Sequence, residues 1–302
     1  MKIKTIMKER TVLLLFGLLL FTACEKDIDF DYHEIAPLVV VEGRVTNEGT
    51  EVHITHSRSV NDSVRGKTLP GATVVISCDG HTDTLTYHPA DDCYKSPMTG
   101  EAGKTYHLSI DFEGKHYEST STMPDPAPIV STQFYWMKVL EERLLVNVLW
   151  AEDPHPDTRD YYYFRMDRRS SHPHALAKSK NHPKAYRWNV FDDRGNPPGF
   201  VFRDIHCMME RTAEEDKEDD WDRILYEGDT VTIQLMTIDQ PTYNYFRTLT
   251  SGQGGGANPI SNITGGCLGY FTAASVSRSD TLIYRLEEVQ DASDYHPQFS
   301  GK

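Results

Sequence analysis

His172, His174 and His182 crowd one short stretch of the chain beside Lys178, Lys180 and Lys184. Two imidazoles two residues apart share a face of an extended segment, a spacing that suits a metal or a haem. Pro173 separates the first pair, however, and no carboxylate or cysteine nearby completes a ligand set, so the stretch reads as a solvated basic loop. His53 and His56 make no better set. The acidic run 214–222 lacks the alternating ligands and the glycine of a calcium loop, and reads as a hairpin tip. Asp192-Asp193-Arg194-Gly195-Asn196 is first of all a turn. Gly252 to Gly256 has neither the Lys-Ser/Thr nor the following helix of a phosphate-binding loop. No G-x-S-x-G, HExxH, S-x-x-K or GxGxxG in strand–helix context is present. A carboxylate pair for glycoside chemistry has 45 acidic residues to choose from and nothing to single one out. Tyr161, Tyr162, Tyr163 and Phe164 suit stacking on a sugar, although alternation between core and surface explains them more simply. The expectation is therefore a protein that is not an enzyme, with no catalytic residue, no metal and no cofactor.

The cysteines carry a clearer signal. Lys2, Lys4, Lys8 and Arg10 form a basic head, and Val12 to Phe21 is an apolar run of 10 residues. Such a run is short for a membrane span but has the length of a signal-peptide core. Phe21-Thr22-Ala23-Cys24 follows, with Leu20 before it, and resembles a bacterial lipobox. Residues 1–23 then read as a signal peptide, and Cys24 as the site of lipidation. Each buried methylene of the acyl chains contributes about 0.8 kcal/mol to anchoring. Loss of the leader removes four basic residues and one acidic residue, which takes the formal charge from -14 to -17. A field of that sign repels phosphate backbones, so nucleic acid is excluded as a partner. Residues 24–37 form an acidic tether. Its Glu25–Asp31 cluster resembles the export signal that sends Bacteroidota lipoproteins to the outer face of the outer membrane; the periplasmic face is the alternative. Cys78, Cys93, Cys207 and Cys267 remain. An oxidising compartment permits disulfides among them, with three possible pairings. Cys78 and Cys93 fall in what read as neighbouring strands, and free buried thiols are the other reading. No CxxC suggests a redox or zinc site.

The elements that hold these residues read as strands. Aromatics at 11%, with 20 Gly and 16 Pro, suit short strands joined by turns. Residues 38–123 carry about seven alternating segments, including Leu38–Val45, Val52–Thr55, Ala72–Cys78 before the Asp79-Gly80 turn, and Gly103–Ile110 before Glu113-Gly114. This is the size and spacing of a β-sandwich with an immunoglobulin-like or transthyretin-like layout. The order, with Pro70-Gly71-Ala72 before one strand and Gly103-Lys104-Thr105-Tyr106 before another, resembles the regulatory-domain sandwich of carboxypeptidases, an architectural likeness that implies no peptidase activity. Pro124, Pro126 and Pro128 make a stiff linker over 124–128. A larger β domain over 129–289 follows. It has strands at Leu144–Trp150, Tyr161–Met166, Thr230–Ile238, Leu268–Val276 and Thr281–Leu286, and a short helix over Pro241–Leu249. Residues 290–302 form a tail. The fold class is all-β, with two sandwich-like domains.

The segments Leu38-Val39-Val40-Val41-Glu42-Gly43, Pro70-Gly71-Ala72-Thr73-Val74, Gly103–Leu108, Trp150-Ala151-Glu152-Asp153-Pro154 with Tyr161–Phe164, Gly228–Val231 and, most specific, Asn258–Phe271 stand in an order that resembles a Bacteroidota lipoprotein family, domain of unknown function 4249. The family has no catalytic motif to transfer. The resemblance implies an accessory lipoprotein of a TonB-dependent transporter, engaged in nutrient capture through a small ligand and tethered to the outer membrane by its lipid. A structural or adhesive surface protein that binds a protein partner is the alternative, and a surface glycan or peptide hydrolase a third reading. Within Asn258–Phe271, Gly265-Gly266 and Gly269 read as a tight turn feeding a core strand. If the segment instead faces a ligand, Tyr270 and Phe271 are the binding candidates.

Overall fold

In a computed structural model of the chain, the described residues are 36–58, 66–140, 142–173, 186–209, 224–252 and 258–291. Residues 1–35, which hold the expected signal peptide, Cys24 and all but the last two residues of the expected tether, lie outside them, as do His174, His182, the acidic run 214–222 and residues 292–302.

The sequence alternation becomes burial alternation. Strand β1 (Val39–Thr46) buries Val39, Val41 and Val45 on one face, and β2 (Gly49–His56) buries Val52 and Ile54 to match. Asp79 and Gly80 both take positive φ, 47° and 81°, and turn β3 (Thr73–Cys78) into β4 (His81–Thr84). Strands β5 (Thr86–His88) and β6 (Cys93–Ser96) follow. Glu113 and Gly114, at 51° and 73°, join β7 (Thr105–Phe112) to β8 (Lys115–Thr122). Beyond the prolines come β9 (Ile129–Val139), β10 (Glu142–Glu152), β11 (Tyr161–Arg169), β12 (Arg187–Asp192), β13 (Phe200–Met209), β14 (Ile224–Leu225) and β15 (Thr230–Ile238). Helix α1 (Gln240–Gly252) begins at Asp239, whose carboxylate accepts the Thr242 N–H at 3.0 Å. Strands β16 (Leu268–Arg278), β17 (Leu282–Ile283) and β18 (Gln290–Asp291) complete the described chain. The expected strand over Thr281–Leu286 shrinks to the two residues of β17, and Leu286–Glu288 is a 3-10 turn.

Three sheets result, and the fold is mostly β with one helix among the described residues. The largest has nine strands, with the order β12-β11-β15-β16-β1-β2-β6-β5 and β17 beside β15. The others run β14-β13-β10-β9-β18 and β4-β3-β7-β8. One core gathers Val41, Ile54, Leu108 and Tyr117 between the β1 end of the large sheet and the four-stranded sheet. The other gathers Leu149, Tyr162, Ile205 and Ile233 between the β11–β15 end and the five-stranded sheet. Residues 37–302 form one compact unit.

Strand β16 joins the two halves. Leu268 to Ala274 pair in parallel with Val40 to Thr46, and Ser275 to Arg278 pair antiparallel with Thr237 to Gln234. Each stretch thus has a strand on one edge, and side-chain amides complete the other. Asn262 accepts the Phe271 N–H at 2.9 Å and donates to its carbonyl at 2.7 Å. Asn47 does the same for Val276, at 2.8 and 3.1 Å. These amides substitute for a missing ladder partner, which a buried backbone requires. Gly269 allows the approach of β1, because a Cβ there would lie 1.8 Å from the Val41 carbonyl oxygen. The prolines at 124–128 therefore divide the sequence, while the hydrogen-bonded sheet continues from one half to the other.

Candidate functional site

The outward face of the nine-stranded sheet carries an aromatic surface beneath and beside α1. Tyr161 and Tyr163 alternate with the core residues Tyr162 and Phe164 along β11, so the aromatic run serves both faces of its strand. Phe246 of α1 lies 4.7 Å from the Tyr270 ring, 5.0 Å from Tyr163 and 6.0 Å from Trp188. Tyr243 lies 4.9 Å from Tyr161. The helix reaches this face because Tyr243 and Phe246 are three residues apart and project to one side. Tyr161, Tyr163, Trp188, Tyr243, Phe246 and Tyr270 are all half-buried. Rings held by neighbouring rings present a rigid surface suited to stacking on a flat apolar ligand face. Burial pushes the Tyr163 and Tyr270 hydroxyls above the ordinary tyrosine range, so these groups act as neutral donors.

At the end of β11 and β12 this surface meets a charged corner. Arg194 donates to Asp192 from Nε and Nη2, each at 3.0 Å, and Arg159 donates to it as well. Burial opposes its ionisation, but the two arginines outweigh that and hold the carboxyl at about 2. Its neighbour Asp193 is in the opposite position. Burial, together with the charges of Asp153 and Asp160, holds the Asp193 carboxyl above the usual range. Asp153, Asp160 and Asp193 offer oxygens that all lie within 4.8 Å of one another. His155 links the cluster to the proline segment: its Nδ1 is 2.9 Å from Asp160 and its Nε2 3.0 Å from Asp125. Those two carboxylates, Asp160 first, raise the His155 pKa against the cost of its burial.

The residues singled out in the sequence are dispersed. Tyr270 belongs to the aromatic face, whereas Phe271 is fully buried in the N-terminal core and has no surface to offer a ligand. Burying a side chain of that size contributes roughly 1.5–3 kcal/mol. His172 stacks on Tyr226, with ring centroids 3.8 Å apart. His53 bonds the Asp92 carbonyl at 3.0 Å, and His56 approaches Glu113 at 3.4 Å. Cys78, Cys93, Cys207 and Cys267 stand as free thiols. The adjacency expected of Cys78 and Cys93 is corrected: β3 pairs with β4 and β7, while β6 pairs with β2 and β5 in a different sheet. Burial pushes the Cys207 thiol up to about 12 and that of Cys267 to about 11, so neither is a nucleophile near neutrality. The carboxylate cluster was hidden in the sequence, because its members come from a loop and two strand ends that only pairing brings together. The sole signal was Asp153-Pro154 and Asp192-Asp193, which announce turns.

The family model described as Domain of unknown function (DUF4249) matches residues 25–280. The chain belongs to that family. The matched span takes in the N-terminal core, the aromatic face, the carboxylate cluster and all of the other core but Tyr284 and Val289. Among solved structures, the chain is similar to the selenomethionine-substituted chicken interferon gamma receptor alpha chain at 7% identity. That match covers 68% of this chain and 90% of the receptor chain with a TM-score of 0.17, and a score so low carries no argument. No curated protein matches the chain.

Proposed function

We propose that this DUF4249 protein is a lipoprotein, tethered through Cys24 to the surface side of the outer membrane, that assists a TonB-dependent transporter by capturing or presenting a nutrient. The observation that carries the reading is the half-buried aromatic surface around Phe246, which suits non-covalent stacking rather than turnover. The lipobox-like Phe21–Cys24 supplies the tether. Anchoring beside a transporter raises effective concentration, so weak intrinsic affinity suffices. Among the described residues no helix is long and apolar enough to cross a membrane. The test is a pull-down from native outer membrane with the tag after Lys302. A stoichiometric transporter in the eluate supports the reading, and an acylated chain that brings none down in mild detergent overturns it. Replacing Trp188 or Tyr270 with Ala should leave the transporter bound and weaken capture of its substrate.

A second reading, a surface protein that docks on a protein partner, draws on one feature. The β9–β10 hairpin ends in Val139 and Leu140, which are 43% and 88% exposed. An apolar tip of this kind is suited to insertion into a partner's groove. A Leu140→Asp variant that loses a protein partner but keeps substrate capture would favour this reading.

A further inference from the structure

Asp160 precedes β11 by one residue, and Asp193 follows β12 by one. Tyr161 pairs with Asp192, so the two carboxylates meet where the ladder ends, and the Asp160 N–H donates to Asp193 at 2.8 Å. Asp153 arrives on the loop after β10, fixed by the His155 N–H at 3.0 Å and by its own N–H to the Gly199 carbonyl at 3.1 Å. One oxygen of each carboxylate is held in this way, or by His155 in the case of Asp160, which leaves the second of each for a ligand. The guanidinium groups of this corner are committed to Asp192 instead. Three half-buried carboxylates are thus gathered, and among the described residues the one cationic group on them is the His155 imidazole, which of the three meets only Asp160.

A second observation points independently to an occupant. Tyr162 is entirely buried, and its hydroxyl has no hydrogen-bond partner. Tyr162 stands two residues after Asp160, and its ring stacks on Phe191, two residues before Asp193, at 5.4 Å. Burial first, and then the charges of Asp160, Asp153 and Asp193, raise its hydroxyl above the ordinary tyrosine range. A buried hydroxyl left unpaired is costly, and a cation or its bound water is the group that would satisfy both it and the carboxylates.

We propose that Asp153, Asp160 and Asp193 bind a calcium ion, with the Tyr162 hydroxyl facing the ion or a water in its shell. An oxygen-only, carboxylate-rich set selects a hard cation over zinc or copper. Oxygens within 4.8 Å of one another enclose a centre about 2.8 Å or less from each, and slight contraction gives calcium distances. The ion ties the loop after β10 to the ends of β11 and β12. Through His155 and Asp125 it also braces the segment between the two cores.

Calorimetric titration of the metal-free chain with calcium chloride tests this. The expected result is one site with a Kd of about 0.1–1 mM and a melting temperature a few degrees higher in 10 mM calcium. Asp160→Asn and Asp193→Asn should each weaken binding at least about tenfold. Asp193→Asn should also melt above the parent in chelator, because it relieves the repulsion, and should gain less than the parent does from 10 mM calcium. Terbium, excited through a nearby tyrosine, reports the position, and Tyr162→Phe, which removes only a hydroxyl, should lose most of the emission while remaining folded. No heat from the parent up to 10 mM calcium overturns the proposal whether or not the Asn variants fold. Asn variants that bind as the parent does, or terbium emission unchanged in Tyr162→Phe, overturn the site.

Discussion

Among the described residues, the N-terminal sandwich pairs its buried side-chain polar atoms, with Thr272 Oγ1 on the shared strand the exception, whereas the C-terminal one leaves Asn147 Nδ2, Tyr162 Oη, Asn196 Nδ2 and Thr237 Oγ1 without partners. Strand β16 itself is secured along both of its stretches, the C-terminal one by Asn47 on Val276 and by the Ser275 hydroxyl on the Pro124 carbonyl at 2.5 Å. Its N-terminal stretch is secured by Asn262 on Phe271, by the Ser119 hydroxyl on the Asn262 carbonyl at 2.8 Å, and by the Thr264 N–H on the Glu118 carbonyl at 2.8 Å. A fully satisfied polar network rigidifies, while open valences mark places where something else can bind. The N-terminal half therefore reads as a scaffold. The C-terminal half carries the aromatic face and the carboxylate corner, on which both proposals rest.

Four substitutions or titrations can break or sharpen that contrast. The largest effect is expected for Gly269→Ala, which drives a Cβ into the Val41 backbone at a φ of +107°. A loss of about 4 kcal/mol or more, and a melting temperature lower by about 10 °C, should follow. If hydrogen exchange shows β9 and β10 equally weakened, the scaffold is common to both halves and the contrast fails. Asn262→Ala comes next at about 2–3 kcal/mol, since the Phe271 N–H loses its acceptor in a buried setting. Exchange of the Phe271 amide should accelerate before that of amides in the C-terminal core.

Third, acid titration separates the neighbours Asp192 and Asp193. Asp192 is depressed to about 2, so its contribution is present above about pH 4 and lost as pH falls through 2; about 1–2 kcal/mol is at stake after allowance for the exposed arginines. Asp193 is raised, so it destabilises near neutrality and is relieved on acidification. Asp192→Asn should reduce the acid loss in chemical denaturation by that amount, leaving the part due to Glu51, which is also held at about 2, and Asp193→Asn should not reduce it. The smallest effect is expected for Tyr162→Phe without calcium: a change under about 1 kcal/mol, because the hydroxyl it removes makes no hydrogen bond. A larger loss by thermal melting would show that the hydroxyl is satisfied and that this part of the contrast is mistaken.

Much of the scaffold was legible from residue types. Asp79-Gly80 and Glu113-Gly114 marked their hairpins because positive φ restricts the choice of residue, and the alternation at Val39–Val45 marked a half-buried strand. Asn258–Phe271 was read as a turn leading into a core strand, and it does so, although the amide clamp by Asn262 has no signature in one dimension. Strands over 129–139, 187–192 and 200–209 passed unread. Trp136, Phe191 and Ile205 are core residues there, but polar neighbours such as Lys138, Asn189 and Arg203 blur the period. The parallel pairing of β1 with β16, and the carboxylate cluster, depend on contacts between distant segments, which spacing along the chain does not encode.

The shared strand also sets an order of events in time. Ile263, Cys267, Phe271 and Ala273 belong to the core built otherwise from residues 39–123. The N-terminal half cannot close over that core until a segment some 230 residues after β1 has been made and brought back beside it. Such distant closure is slow. During synthesis the first half waits with an open sheet edge, and the strand that ends its wait also engages the second half, so completion of one and docking of the other become a single late step.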